Sequence, residues 1–129
     1  MTEHNEVVLP AFLGVDSPTG VPAAVIVPVP YDRTSTWRKG ADRGPAALLE
    51  ASTEVELFDL ETLSEPYRSG ILTGPPVLHD GDPESLADVV ERVVTAVIEG
   101  GSMPILIGGE HSVSIGAIRS AATAVRSRN

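Results

Sequence analysis

Two short runs of this chain are apolar almost without interruption: Ala23–Val27 and Met103-Pro-Ile-Leu-Ile107. Runs of that length without alternation fit strands buried on both faces, as in a parallel sheet. Pro28 and Pro30 cannot donate to a ladder, so the first strand is expected to stop near them or to lie at an edge. Between the two runs the period changes. Leu86, Val89, Val90, Val93, Val94 and Val97 recur at helical spacing, with Asp88, Glu91, Arg92 and Glu99 mostly off the stripe. Asp82-Pro83 starts this helix and Gly100-Gly101 ends it.

The weaker patterns fill in the rest. Pro45 opens a short helix through Ala46, Ala47, Leu48, Leu49 and Ala51, with Ser52-Thr53 at its end. Val55–Leu60 alternates enough to predict a short extended segment, and Ser69–Asp82 reads as turns around Ile71-Leu72. A last helix runs over Val113–Val125. Residues 1–20, with Pro10, Gly14, Pro18 and Gly20, are expected to be a leader that wraps the surface or frays. Helix, Gly-Gly, strand, Gly-Gly, helix is a βαβ-type order, so the fold class is α/β with a mainly parallel sheet.

Composition narrows the function classes. At 129 residues and 42% hydrophobic content the chain has material for one core. The absence of cysteine removes disulfide scaffolds, Cys-ligated zinc and cysteine nucleophiles. A formal charge of −9 disfavours nucleic acid as a partner and suits small cations. No apolar run is long enough for a membrane span, and the expected location is the cytoplasm.

One segment concentrates chemistry. Open α/β sheets place their sites at the carboxyl ends of strands, and Gly108-Gly-Glu-His-Ser112 lies there, directly before a helix. Gly108 and Gly109 allow a sharp backbone turn, His111 offers an imidazole nitrogen to a metal, Glu110 is a supporting carboxylate or first-turn charge, and Ser112 is a good N-cap. On residues alone, a hydrogen-bonded turn histidine and an anion site at the helix start remain open. His79-Asp-Gly-Asp82 reads as a solvated turn with weak cation attraction.

Gly108–Ser112 resembles the first metal motif of the ureohydrolases, the arginase and agmatinase family. The resemblance extends through Pro28-Val-Pro-Tyr-Asp32, Thr34-Ser35-Thr36, Arg38, Gly40 and Gly44-Pro-Ala-Ala47, then Val55–Asp59, Glu65-Pro-Tyr67, Gly70-Ile71 and Ile115-Gly-Ala-Ile118. It covers about residues 20–122 and favours agmatinase-like members. It implies a three-layer αβα, arginase/deacetylase-like fold with His111 as the first metal-binding histidine of a two-manganese cluster. There, ions roughly 3.5–4 Å apart deprotonate a water that attacks a guanidinium carbon. Agmatine and water would give putrescine and urea, from a small cationic guanidino substrate, in a homo-oligomer. Glu110 stands where the family commonly has Asp, in a supporting place.

The departure from the family pattern is as informative. The family's downstream Asp-Ala-His-x-Asp and Asp-x-Asp segments do not occur, and beyond His111 the only ionisable side chains are Arg119, Arg126 and Arg128. The expectation is therefore residues 21–129 as the N-terminal portion of a ureohydrolase domain, without turnover by itself. Its sheet should be incomplete, with an open edge prone to pairing or aggregation. The alternative is a non-enzymatic α/β interaction module.

Overall fold

A computed structural model describes residues 8–128. The two apolar runs become β1 (Ala24–Val29) and, after a three-residue strand β2 (Ile71–Thr73), β3 (Met103–Gly108). The sheet is wholly parallel in the order β2-β1-β3. β1 registers Ala24 with Ile71 on one side, and runs from Ala24 opposite Met103 to Val29 opposite Gly108 on the other.

β1 stops between Pro28 and Pro30, as the sequence leads one to expect, but Pro28 itself is accommodated within a central strand rather than at an edge. The bonds Ala24 N–Gly70 O, Gly74 N–Ile26 O and Val77 N–Pro28 O show that the peptide groups of Ala24, Ile26 and Pro28 face the β2 side. The missing donor of Pro28 therefore points where β2 has already ended, and its carbonyl still accepts from Val77 N at 2.8 Å. Ile71-Leu72, expected among turns, instead supplies β2. Val55–Leu60 forms no strand; Asp59 bridges Ser64 across a turn and its carboxylate accepts from the amides of Glu61 and Thr62.

Three helices cover the sheet: α1 (Gly44–Ser52), α2 (Pro83–Glu99) and α3 (Ser114–Arg126). Alternation along β1 sends Val27 and Val29 to one face, where they pack with Leu86, Val90 and Val94 of α2 and with Val113. Ile26 and Pro28 point to the opposite face, which α1 closes with the fully buried Pro45 and Leu49. The result is the αβα layering. Asp82 caps α2 by accepting from Ser85 N at 2.8 Å. Its end carries the paired bonds Gly101 N–Ile98 O and Ser102 N–Val97 O, with Gly101 at φ +90°. The α2 stripe divides in two: Leu86, Val90 and Val94 are buried, while Val89, Val93 and Val97 line an open apolar groove of about 600 Å3 with Leu72 and Pro75–Leu78.

Within residues 1–20, the segment around Phe12 and Leu13 is tied to the domain. Phe12 N donates to Thr73 Oγ1 and Leu13 N to the buried Ser52 Oγ, each at 2.9 Å. None of the described helices is long and apolar enough to cross a membrane.

α3 packs on α2 through small residues. Thr95 and Ser120 hydroxyls meet at 2.8 Å, and Gly116 is buried against the α2 backbone. A Cβ at Gly116 would stand 2.7 Å from Glu91 N and collide with Ala87 O. Alanine favours a helix over glycine by about 1 kcal/mol, but here two backbones must separate. Gly116→Ala is expected to destabilise the chain by about 1–3 kcal/mol in urea denaturation, and a neutral or stabilising result would refute this close approach.

Candidate functional site

β3 delivers its last residue, Gly108, to the C-terminal end of the sheet beside the end of β1. There the chain turns sharply. Gly109 has φ +26°, and a Cβ on it would lie 2.7 Å from Val29 O and 3.0 Å from Tyr31 N. A Cβ on Gly108 would collide with the Val113 side chain. Gly109 is therefore demanded by close backbone approach, and Gly108 by the packing of the Val113 side chain. Glu110 N then donates to Tyr31 O at 2.9 Å, tying the turn to the exit of β1.

A single 3-10 turn, His111–Val113, precedes α3. Its cap is Glu110, not Ser112. Glu110 accepts from Ser112 N at 3.0 Å and from Ser112 Oγ at 2.5 Å, so Ser112 is the capped residue. Ser112 was the better candidate by residue type; the sharp Gly-Gly turn shifts the helix start so that the longer carboxylate reaches first. Thr34 Oγ1 adds a third donor to Glu110 at 2.6 Å. Burial pushes the Glu110 carboxyl up, yet the bonds from Ser112 and Thr34 together hold it below the usual range.

Thr34 belongs to the loop between β1 and α1, and Asp32 organises that loop. The Asp32 side chain is only 4% exposed. It accepts from Ser35 Oγ, from Gly40 N at 2.5 Å and from Ala41 N at 3.0 Å, with Lys39 Nζ at 3.8 Å. The Ser35 hydroxyl, then the two amides, outweigh burial and hold its carboxyl below the ordinary aspartate value. Gly40, at φ +122°, lets the loop return on itself. Nearby, Tyr31 is buried, donates to Gly81 O at 2.9 Å, and has its hydroxyl pushed up by that burial.

His111 stands exposed at the start of the 3-10 turn. His79 lies beside Tyr31, with ring centroids 6.3 Å apart; its Nε2 is 2.8 Å from Ser85 Oγ, and Arg33 donates to the adjacent Asp80 carbonyl. The His79–Asp82 segment is thus a bonded turn that caps α2. His4 falls outside the described residues. Among the described residues no three His, Cys, Asp or Glu side chains stand together as a metal-holding group. A two-ion centre therefore does not fit this chain's described side chains alone; His111 is a single candidate ligand.

The model of the arginase family matches residues 22–128. The chain belongs to the arginase family. The N(1)-aminopropylagmatine ureohydrolase of Synechocystis is 37% identical over an alignment of 105 positions that covers 75% of this chain and 34% of that protein. The crystal structure of agmatine ureohydrolase from Thermoplasma volcanium superimposes with a TM-score of 0.73 at 32% identity, covering 78% of this chain and 34% of that one. Trypanosoma cruzi formiminoglutamase, crystallised with Mn2+, shares the fold at a TM-score of 0.73 and 23% identity, over 91% of this chain and 41% of its own. This arginase-family chain thus spans about one third of the length of the curated relatives it matches.

The carboxylates around the site make a pH prediction. Asp32 and Glu110 both have depressed folded pKa values, so their stabilisation is full above the ordinary carboxylate range and is lost as pH falls below it through the lowered folded values. The urea midpoint should fall below about pH 4, and fall less steeply in an Asp32→Asn/Glu110→Gln double variant. At neutral pH, Glu110→Ala should cost about 1 kcal/mol through the lost cap. Equal acid slopes in the two proteins would refute the assignment.

Proposed function

We propose that this chain is the His111-bearing part of a ureohydrolase that releases urea from a linear guanidino amine, and that it has no turnover by itself. The observation that carries the reading is His111, exposed immediately beyond β3 at the carboxyl end of a parallel sheet, in a chain of the arginase family. Relatives named for aminopropylagmatine and agmatine both support a substrate with a guanidinium at one end and an amine-bearing chain. A formal charge of −9 suits such a cation. With agmatine, hydrolysis of the guanidino C–N bond consumes one water and gives urea and putrescine.

Manganese is the metal this reading assigns, since imidazole with oxygen ligands suits it. His111 would donate one ring nitrogen. This reading takes the remaining ligands from outside the described residues, among which no three His, Cys, Asp or Glu side chains stand together. The part played by this chain's own residues is positional. Glu110 caps the His111 turn, Gly109 seats it under Tyr31 O, and Asp32 with Thr34 holds the facing loop.

Urea release from agmatine and N(1)-aminopropylagmatine is the decisive measurement. The purified chain with Mn2+ is expected to release none. Co-expressed with the Synechocystis ureohydrolase lacking its matched region, it is expected to release urea in a manner abolished by His111→Ala. Turnover by the chain alone overturns the proposed inactivity, and turnover by the assembled His111→Ala variant overturns the ligand assignment.

A further inference from the structure

We infer that the turn at residues 54–65 and the loop at residues 33–43 are two halves of one contact between copies of this chain, in which the acidic, apolar turn of one copy docks on the basic, tryptophan-tipped loop of the next.

The turn is built to present apolar side chains. Asp59 N donates to Ser64 O at 2.8 Å, and the Asp59 carboxylate accepts from Glu61 N at 2.8 Å and Thr62 N at 3.3 Å. The Thr62 and Ser64 hydroxyls meet at 2.8 Å. On this bonded frame Leu60 is 82% and Leu63 73% exposed, with Val55 and Phe58 exposed beside them. Leu63 also holds φ +50°, a left-handed conformation that a bulky side chain rarely adopts. Apolar side chains grouped in this way and rimmed by polar ones mark protein contact surfaces. The rim here is acidic: Glu54, Glu56 and Glu61 are exposed, and no base stands between Thr53 and Pro66.

The loop has the opposite character. Ser35 on one side and Gly40 and Ala41 on the other converge on the Asp32 carboxylate, so residues 36–39 form a pinned tip. Trp37, the chain's one tryptophan, stands there 88% exposed, with Arg38 and Lys39 following it. Four of the nine basic side chains lie within residues 33–43, against one acid; in the rest of the chain five bases face seventeen acids. Tryptophan and arginine are enriched among the side chains that carry most of the energy of protein contacts.

These properties select the occupant. Turn-to-turn or loop-to-loop pairing would set like charges together, which opposes association. Turn-to-loop pairing joins apolar to aromatic surface and acid to base. Within one copy the two halves stand at opposite ends of α1, whose nine residues make about 13 Å of helix. Each copy therefore offers one half to each of two neighbours. Such a contact is heterologous, and it gives a ring where the rotation closes and an open chain where it does not.

The test is analytical ultracentrifugation of the purified chain, together with Trp37 fluorescence, without metal or substrate. Its outcome is therefore separate from that of the hydrolase proposal. Species larger than the monomer are expected as concentration rises, with a blue shift of the tryptophan emission over the same range. The dissociation constant should rise about tenfold or more between about 0.05 M and 0.5 M NaCl. Leu60→Lys and Trp37→Glu, both at exposed positions and checked for unchanged circular dichroism, should each be monomeric. Their equimolar mixture should form a 1:1 dimer and nothing larger, because it holds one intact turn and one intact loop. Ile118→Lys, at a 66% exposed site on α3, should associate as the unchanged chain does. An unchanged chain that is monomeric at every concentration, a Leu60→Lys or Trp37→Glu variant that still associates, or a mixture that stays monomeric overturns the proposal.

Discussion

The carboxyl end of the sheet depends on the passage of Gly109 against the backbone of Val29 and Tyr31. A parallel sheet brings the exits of β1 and β3 side by side, and one of the two chains must turn within a van der Waals radius of the other. Here β3 turns, and only a residue without Cβ fits where Val29 O would stand 2.7 Å away. Once that contact is made, Glu110 N reaches Tyr31 O, the 3-10 turn begins, and His111 is exposed at the sheet end. The loop after β1 then has a fixed floor. Thr34 closes on Glu110 from it, and Asp32 gathers Ser35, Gly40 and Ala41 around one buried carboxylate.

Much of this frame was legible in residue order. The α2 stripe, its Asp82-Pro83 start and its Gly-Gly end, the two apolar strands and the Gly-Pro opening of α1 each have one strong local cause and each forms where expected, although β3, read as buried on both faces, leaves Met103 and Ile105 exposed. What escaped depends on partners distant in sequence. Ile71–Thr73 is too short to show a period and becomes a strand only because β1 lies beside it. That Pro28 can sit inside a central strand follows from the neighbouring strand having ended before its missing donor matters. Val55–Leu60 alternates but has no strand to pair with, so alternation alone produces a turn.

The same limit holds at the site. Gly108, Gly109, Glu110 and His111 are contiguous, so their grouping is visible in the sequence, and the resemblance already placed His111 among metal ligands. The division of work between Glu110 and Ser112 was not visible, since it follows from the angle at which the turn leaves Gly109. The Thr34–Glu110 bond joins positions 76 apart and has no local signature. Asp32 left a fainter trace: an aspartate at a strand exit with Ser35 and Gly40 after it is what a looped-back segment requires.

Glu110 shows why one motif can serve folding and chemistry without conflict. Its two carboxylate oxygens already receive three donors, from Ser112 N, Ser112 Oγ and Thr34 Oγ1. Binding a cation would require giving up at least one of these bonds and loosening either the helix start or the facing loop. His111, next in sequence, carries no such duty in the turn beyond its backbone. The carboxylate is held by structure and the imidazole is left exposed, so the cost of ordering the site falls on residues that need not touch a ligand. That arrangement also explains how the site end of this chain can be well formed while its β3 flank is not. The Gly109 passage and the Glu110 cap are satisfied by β1, β3, the loop that follows β1 and the 3-10 turn itself, whereas Met103, Ile105 and Ile118 remain exposed.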